Sequence, residues 1–227
     1  MYNLPNKSRC ALVLSALYPP FVIHTSQAER KSMFNELKTA QAAAYLLHKA
    51  GGTMKHLKLM KLLYLADRLS WQEYDQSITG DEYYSLPYGP VLSKTLDLIQ
   101  GNVFSAMPTP WEEWISDKEN HQVSLAKEID FDDEYYLDNL SLANLEILDK
   151  TFEQYGHLET FDLVKLTHDS RHIPEWENPT GGVRAKPIKI ETLLHYLGRT
   201  NEQIKTIIDD MKEQAHIDRV FKGLGND

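Results

Sequence analysis

Residues 54–74, MKHLKLMKLLYLADRLSWQEY, constrain the fold more than any other stretch of this 227-residue chain. At about 100° per residue they form a helix with apolar side chains on nearly every side. One face carries Leu59, Leu62, Leu63, Ala66 and Leu69, and much of the remainder is covered by Leu57, Met60, Tyr64, Leu65 and Trp71. A helix that is apolar nearly all round is enclosed by other elements. The segment therefore predicts a buried central helix.

Charged residues interrupt the middle of this apolar helix. Lys61 and Arg68 are seven residues apart and lie on nearly the same bearing, with Tyr64 beside them, whereas Asp67 lies elsewhere on the circumference. Charges on a mostly buried helix are paired or face a cleft, because an isolated buried charge is costly. Internal salt bridges are one interpretation of these residues, and a functional cleft is the other.

The rest of the chain adds shorter helices and weak strands. A strand is predicted at 82–86, where Pro87 would confine it to a sheet edge, and HQVSLA (121–126) is the best later candidate. Further helices are predicted at 39–50 behind an N-cap at Thr39, 90–100, 141–156 behind Ser141, 160–168, 190–197 and from Thr200 onward. The expected fold is mainly α, in the all-α class. It is a compact single-domain helical bundle around the central helix at about 54–74, with a small β-hairpin or sheet in the 82–135 region.

The chain divides into three parts by its pattern. Residues 1–32 are broken by prolines and show no sustained period, so we predict an irregular N-terminal extension. That extension is either a mobile tail or the product of an upstream start codon, with Met33 as the natural start. Residues 33–198 form the predicted domain, and residues 199–227 form a last helix that packs on it or extends from it.

Cysteine content and hydropathy indicate the compartment. The single cysteine, Cys10, excludes an internal disulfide and fits a reducing environment. No run of residues approaches the ~18 apolar residues that a membrane-spanning helix requires. We therefore expect a cytoplasmic protein with no membrane partner.

Acidic residues are concentrated in one window of the sequence. The formal net charge of −9 argues against non-specific binding to nucleic acid, which depends on cationic side chains. Between Trp111 and Asp138 there are ten acidic residues, opposed only by Lys118 and Lys127. This window is either a solvated loop region or an acidic surface that steers a basic partner.

Motifs that carry enzyme chemistry are missing from the sequence. It contains neither GxGxxG nor GxxxxGK[ST], no GxSxG, no HExxH and no cysteine cluster. His168 and His172 are four residues apart, and His157 and His195 could approach them in the fold, so a metal or general-base site is conceivable. The alternative is that His168 caps a helix C-terminus. We expect no catalytic residue, no metal ligand and no cofactor.

Tyrosines cluster beside the central helix. Within 25 positions, and near Trp71, the chain carries Tyr64, Tyr74, Tyr83, Tyr84 and Tyr88. Large amphipathic rings are enriched at the centres of protein interfaces, although they also fill ordinary cores. Because this cluster adjoins a rigid Pro-Tyr-Gly-Pro turn, we favour a protein-binding face for the segment as a whole.

Two blocks of the sequence resemble a known family. The first contains KLMKLLYLAD (58–67), the turn ITGD (78–81) and YGPV (88–91). The second is LETFDLVKLTH (158–168), followed by PEW (174–176). In this order they resemble the Panacea domain, also called the SocA-like or phage-associated GepA-like domain, over about residues 34–198.

This resemblance implies a mainly helical antitoxin of bacterial and phage toxin–antitoxin pairs, without catalytic activity. Such proteins neutralise toxins, some of which block translation, by direct stoichiometric contact, and the cognate toxin is encoded by an adjacent gene. The resemblance assigns a partner-binding or scaffold role to the residues of the shared motifs. Those residues are Lys61, Tyr64, Asp67, Arg68, Tyr83, Tyr88, Gly89, Pro90, His168 and Trp176.

Three other functions are compatible with the sequence. The first is an adaptor that delivers a toxin to an ATP-dependent protease, which would then be a second partner. The second is an enzyme that uses the histidines. The third is a DNA-binding regulator, which the negative charge and the missing reader helix disfavour.

Overall fold

The structure, a computed structural model, describes residues 34–103, 105, 107–118, 120–130 and 136–224, so the predicted extension at 1–32 lies outside the described residues. The helices in this part of the chain are α1 (Glu36–Lys49), α2 (His56–Tyr74), α3 (Ser93–Gln100), α4 (Pro110–Trp114), α5 (Leu142–Tyr155), α6 (Thr160–His168), α7 (Ile190–Tyr196) and α8 (Asn201–Leu224). The strands are β1 (Thr53–Lys55), β2 (Tyr83–Leu86), β3 (Gly89–Leu92), β4 (Ile115–Lys118), β5 (Gln122–Leu125) and β6 (Lys186–Ile188).

The central helix is α2, as the sequence predicts. Thirteen of its nineteen residues are buried, and it packs against α1, α5, α6 and β3. Its predicted start is two residues too early, because Met54 belongs to β1 and pairs with Val123 of β5. The mainly α prediction is therefore confirmed, with α2 enclosed by helices and by a strand.

Two small antiparallel sheets accompany the helices. One has the strand order β1-β5-β4 and the other β3-β2-β6. The sheet structure predicted within 82–135 is confirmed by β2 to β5, but β1 and β6 lie outside that range, and assignment to the all-α class is wrong. Both missed strands have only three residues, which is too short for a two-residue period to show in the sequence.

The β2–β3 hairpin differs from the prediction in two ways. β2 is the middle strand of its sheet and not an edge strand, because the ladder ends at Leu86 and leaves Pro87 outside it. The helix predicted from Pro90 begins only at Ser93, since Gly89–Leu92 form β3. Pro90 lies opposite Ser85 within the hairpin.

Local capping fixes where two of the helices begin. α1 starts three residues before the predicted position, because Asn35 Oδ1 accepts a hydrogen bond of 3.0 Å from Lys38 N. Thr39, the predicted cap, is buried inside the helix. The predicted cap of α5 is confirmed, since Ser141 and Asn144 form a reciprocal capping box.

The last two described helices, α7 and α8, pack on each other as a helical hairpin. Leu193 and Leu194 of α7 and Ile204 and Ile207 of α8 are buried and belong to the hydrophobic core. Among the residues that the structure describes, no helix is both long and apolar enough to span a bilayer.

Candidate functional site

Asp67 anchors the loop after α2 to the middle of that helix. Its carboxylate accepts hydrogen bonds from Ile78 N (2.8 Å), Thr79 N (3.1 Å), Thr79 Oγ1 (2.5 Å) and Tyr83 Oη (3.1 Å). Burial raises the pKa of Asp67 to about 6, and the hydrogen bonds from Thr79, Ile78 and Tyr83 act in the opposite direction. The ITGD turn of the sequence is thus held by a buried acid twelve residues upstream of Thr79.

Tyr83 connects this anchor to the aromatic residues of α2. Its hydroxyl accepts a hydrogen bond of 2.8 Å from Trp71 Nε1 and donates to Asp67. Its ring meets the Tyr64 ring edge to face, with centroids 5.8 Å apart. Two members of the predicted tyrosine cluster, Tyr64 and Tyr83, therefore have buried rings and belong to the core.

A second buried acid, Glu175, binds two residues of α2. Its side chain is 0% exposed, and Oε1 accepts hydrogen bonds from Tyr64 Oη (2.8 Å) and Arg68 Nε (2.7 Å). Burial and the Glu175 carboxylate raise the pKa of Tyr64 well above its usual value, so the phenol stays a donor. The predicted internal salt bridge is confirmed for Arg68.

Lys61 is buried without a carboxylate partner among the salt bridges of the described residues. Its side chain is 0% exposed, and Nζ donates a hydrogen bond of 2.7 Å to Pro90 O in β3. Burial lowers the pKa of Lys61 well below its ordinary value, because the charged ammonium loses its hydration. The amino group thus joins α2 to the hairpin through one backbone carbonyl.

Gly89 makes this contact possible. Its φ of +97° is a conformation that favours glycine, and a Cβ there would lie 2.8 Å from Lys61 Nζ and 2.7 Å from Thr167 Oγ1. Three elements, α2, the hairpin and α6, therefore meet at Gly89 at a distance that only a glycine allows.

His168, the last residue of α6, stacks on Trp176. The two rings are nearly parallel, at 5°, with centroids 4.1 Å apart. Trp176 Nε1 donates a hydrogen bond of 3.1 Å to Leu86 O. Burial and the nearby Lys61 lower the pKa of His168, and a hydrogen bond to the backbone of Tyr88 partly offsets them. The second sequence block is joined in this way to the first.

All ten predicted site residues therefore lie in one region, where α2, the β2–β3 hairpin, the end of α6 and the loop after it meet. Most are buried: Lys61, Tyr64, Asp67, Tyr83, Gly89 and Pro90. Arg68, Tyr88, His168 and Trp176 are half-buried and reach the surface. We call the ten residues together with Glu175 the buried network.

Sequence reasoning missed two acids of this region. In the sequence Glu175 belongs only to the PEW segment, and nothing in its neighbourhood indicates a partner on α2. The sequence predicts only a turn at Asp81, but its buried carboxylate accepts hydrogen bonds from Thr95 N and Thr95 Oγ1, both 2.8 Å, at the first turn of α3. Asp81 lies twelve residues before Ser93, so the preference of Asp for the position next to a helix start does not indicate this role.

The histidines that the structure describes do not assemble into a metal site. In the described part of the chain, no group of three or more His, Cys, Asp or Glu side chains could hold a metal ion. His168 and His172 do not share a helical face, because α6 ends at His168. Instead, Nδ1 of His172 lies 3.4 Å from Oδ2 of Asp169.

The acidic window is only partly described. Glu112 belongs to a capping box with Thr109, and exposed side chains include Glu113, Glu128, Asp130 and Asp138. Lys127 lies over the Trp114 ring, 3.8 Å from its centroid. The described acids are thus mostly a solvated surface beside β4 and β5.

Comparison with known proteins identifies the family. No curated protein and no solved structure matches the chain. A family model described as "Antitoxin SocA-like, Panacea domain" matches residues 59–177. The match runs from α2 through Glu175 and Trp176, so it spans the buried network and confirms the resemblance of the two sequence blocks. Because it covers more than half of the chain, this protein belongs to the SocA-like antitoxin family defined by the Panacea domain.

Proposed function

We propose that this protein neutralises a toxin by direct, stoichiometric binding, and that the toxin is encoded by an adjacent gene and acts in the cytoplasm, for instance on translation. Family membership supports the antitoxin role. The proposal adds the mechanism: the protein acts through contact surfaces and without catalysing a reaction.

One observation carries this mechanism. The ionisable groups of the shared motifs bind partners inside the fold. Lys61 donates a hydrogen bond to Pro90 O, Asp67 accepts hydrogen bonds from the 78–79 loop, and Glu175 accepts one from Arg68. A catalytic group has to reach its substrate in an accessible pocket. Lys61, Asp67 and Glu175 are buried, so they are suited to stabilising the packing of α2 against its neighbours and not to turning over a substrate.

The buried network positions surface residues that a toxin can contact. At the buried network these are the half-buried Tyr88, at the tip of the β2–β3 hairpin, and the stacked pair of His168 and Trp176. Tyrosine and tryptophan are the residue types enriched at the energetic centres of interfaces. We propose that the buried members of the network are scaffold and that these three residues belong to the contact surface.

Growth rescue tests the proposal. The neighbouring open reading frame is expressed from an inducible promoter, with and without this protein, and colony formation is counted. We expect the reading frame alone to be lethal and co-expression to restore growth. A reading frame that stays lethal despite co-expression, with the protein present at normal levels, would contradict the proposal.

The same assay separates sequestration from delivery to a protease. Rescue by binding persists in cells that lack the ATP-dependent proteases, whereas rescue by an adaptor is lost there. Tyr88→Ser is expected to weaken rescue, and His172→Ala, a change at a 56% exposed side chain outside the network, serves as its matched control.

A further inference from the structure

The last helix projects from the body of the protein. α8 has 24 residues and is about 36 Å long, whereas α7, on which it packs, has seven residues and is about 10 Å long. Its base is fixed by Arg199, which donates hydrogen bonds of 2.7 Å to Asp75 Oδ1 and to Gln72 O at the end of α2. From Lys212 to Phe221 every residue except Ala215 is exposed.

α8 carries two groups of apolar residues, one on its inner face and one that extends from the edge of that face to the far side of the helix. The inner face, which includes the buried Ile204 and Ile207, continues through Ile208, Met211 and Ala215. The outer apolar residues Ile217, Val220 and Phe221 lie roughly 100–160° around the helix axis from Ile204. They are 38%, 47% and 70% exposed. Packing on the body therefore explains the first group and leaves the second one open.

Acidic residues precede the outer apolar residues on the same side. Asp210 and Glu213 lie roughly 120–180° from Ile204 and come seven and four residues before Ile217. The basic residues Lys205, Lys212 and Arg219 lie within roughly 100° of Ile204, on the other side of the helix. We define the outer face as Asp210, Glu213, Ile217, Val220 and Phe221. Along the chain, the two acidic residues of this face come first and the three apolar residues follow.

We propose that the outer face of α8 docks into an apolar groove on the toxin, and that the groove is flanked by Lys or Arg at its end nearer the antitoxin body. Anchors at i, i+3 and i+4, here Ile217, Val220 and Phe221, are the pattern by which an amphipathic helix binds a groove. Asp210 and Glu213 indicate that the residues at the edge of the groove are positively charged, because complementary charges fix register and speed association. This inference rests on the proposed function and names the partner surface.

Size favours a groove over a second copy of this chain, and charge also disfavours a parallel pair of copies. A stable interface buries about 800 Å² on each partner, and three side chains on one helix contribute only part of that area to a helix pair. A groove encloses the helix and also contacts its flanks. In a parallel pair of α8 helices, moreover, Asp210 and Glu213 would face their own copies, and like charges repel.

Affinity measurements on the full-length protein test this inference. The toxin, as the neighbouring gene product carrying an inactivating substitution, is titrated by calorimetry against wild type, Phe221→Asp and Glu213→Lys. The matched control is Phe161→Asp, which places the same charge on a 64% exposed phenylalanine of α6. Circular dichroism verifies that each variant is folded. We expect Phe221→Asp to weaken Kd at least tenfold, Glu213→Lys to weaken it several-fold with a smaller salt dependence, and the control to leave it unchanged.

The other outcomes separate the two proposals. If wild type binds and Phe221→Asp binds equally well, the docking site on α8 is wrong and the antitoxin mechanism stands. If wild type itself does not bind, the mechanism of direct binding is wrong. If light scattering finds that wild type alone is a dimer that Phe221→Asp dissociates, while toxin affinity is unchanged, the outer face joins two copies and our choice of occupant is overturned.

Discussion

Arg68 in α2 and Glu175 in the loop after α6 are 107 positions apart and form a salt bridge of 2.7 Å in which the Glu175 side chain is fully buried. The same carboxylate oxygen accepts a hydrogen bond from Tyr64. Through Tyr64 and Glu175 this contact joins the two blocks of sequence that resemble the family, and both blocks lie within or overlap the matched residues 59–177. It means that their order along the chain reflects one folded network and not two separate sites.

Glu175→Ala should lower the free energy of unfolding by about 3 kcal/mol, because removing one partner of a buried pair leaves the other without compensation. Chemical denaturation monitored by circular dichroism measures the change. Lys165→Ala is the matched control, since it breaks the exposed salt bridge between Lys165 and Asp162. We expect it to cost less than about 1 kcal/mol. Equal losses for both variants would contradict the structural role of Glu175.

Gly89→Ala should destabilise the protein by more than about 3 kcal/mol. The φ of +97° is unfavourable for alanine, and the new Cβ would collide with Lys61 Nζ and Thr167 Oγ1. Gly101→Ala is the control, because Gly101 has a φ of +67° but no atom within 4 Å of an added Cβ. Its loss of stability, about 1 kcal/mol, therefore measures the unfavourable backbone conformation alone. Thermal unfolding of the two variants measures the difference, and similar melting temperatures would show that the close approach at Gly89 is absent.

Lys61→Met should change how stability depends on pH. Since burial lowers the pKa of Lys61 in the fold, the unfolded chain binds its proton more tightly, and wild-type stability rises with pH up to about 10.5, the unfolded value. The rise is at most about 1.4 kcal/mol per pH unit. Denaturation at pH 7, 8 and 9 should therefore show wild type gaining stability relative to Lys61→Met. Parallel profiles would mean that Lys61 keeps its charge in the fold.

His56 predicts a loss of stability in mild acid. Nδ1 donates to His121 O at 2.8 Å, and the buried Nε2 has no hydrogen-bond partner, so a second proton would be buried unpaired. Burial lowers the pKa of His56 to about 4, whereas the unfolded value is about 6.5. Protons thus favour the unfolded chain as pH falls from 6.5 to 4. Between pH 7 and pH 5 wild type should lose about 2 kcal/mol relative to His56→Gln, and a constant difference between the two proteins would contradict this.

The sequence predicted the elements whose signal is local. α2 carries enough apolar positions over 19 residues to indicate a buried helix, and Ser141 with its downstream apolar period indicates the start of α5. Helical periodicity depends only on neighbouring residues, so it can be recognised in the sequence without knowledge of the fold. The main error in this class was at Pro90, where a residue suited to the first turn of a helix lies instead in a strand.

The network could be predicted only in part, because its partners are distant in sequence. Burial of Lys61 and Asp67 follows from their places on α2, but Pro90 O and Glu175 are 29 and 107 positions away from Lys61 and Arg68, the residues that bind them. No period or spacing connects such residues. β6 has the same difficulty, since Lys186–Ile188 becomes a strand only by pairing with β2.

Titration of the purified toxin with the purified protein tests the central claim most directly. The toxin's activity is measured in a reconstituted assay, for instance cell-free translation, while this protein is added in steps well above the dissociation constant. The account predicts a linear loss of toxin activity that ends at a fixed molar ratio, whatever the incubation time. Complete inactivation by a small fraction of an equivalent, progressing with time, would show turnover and would contradict it.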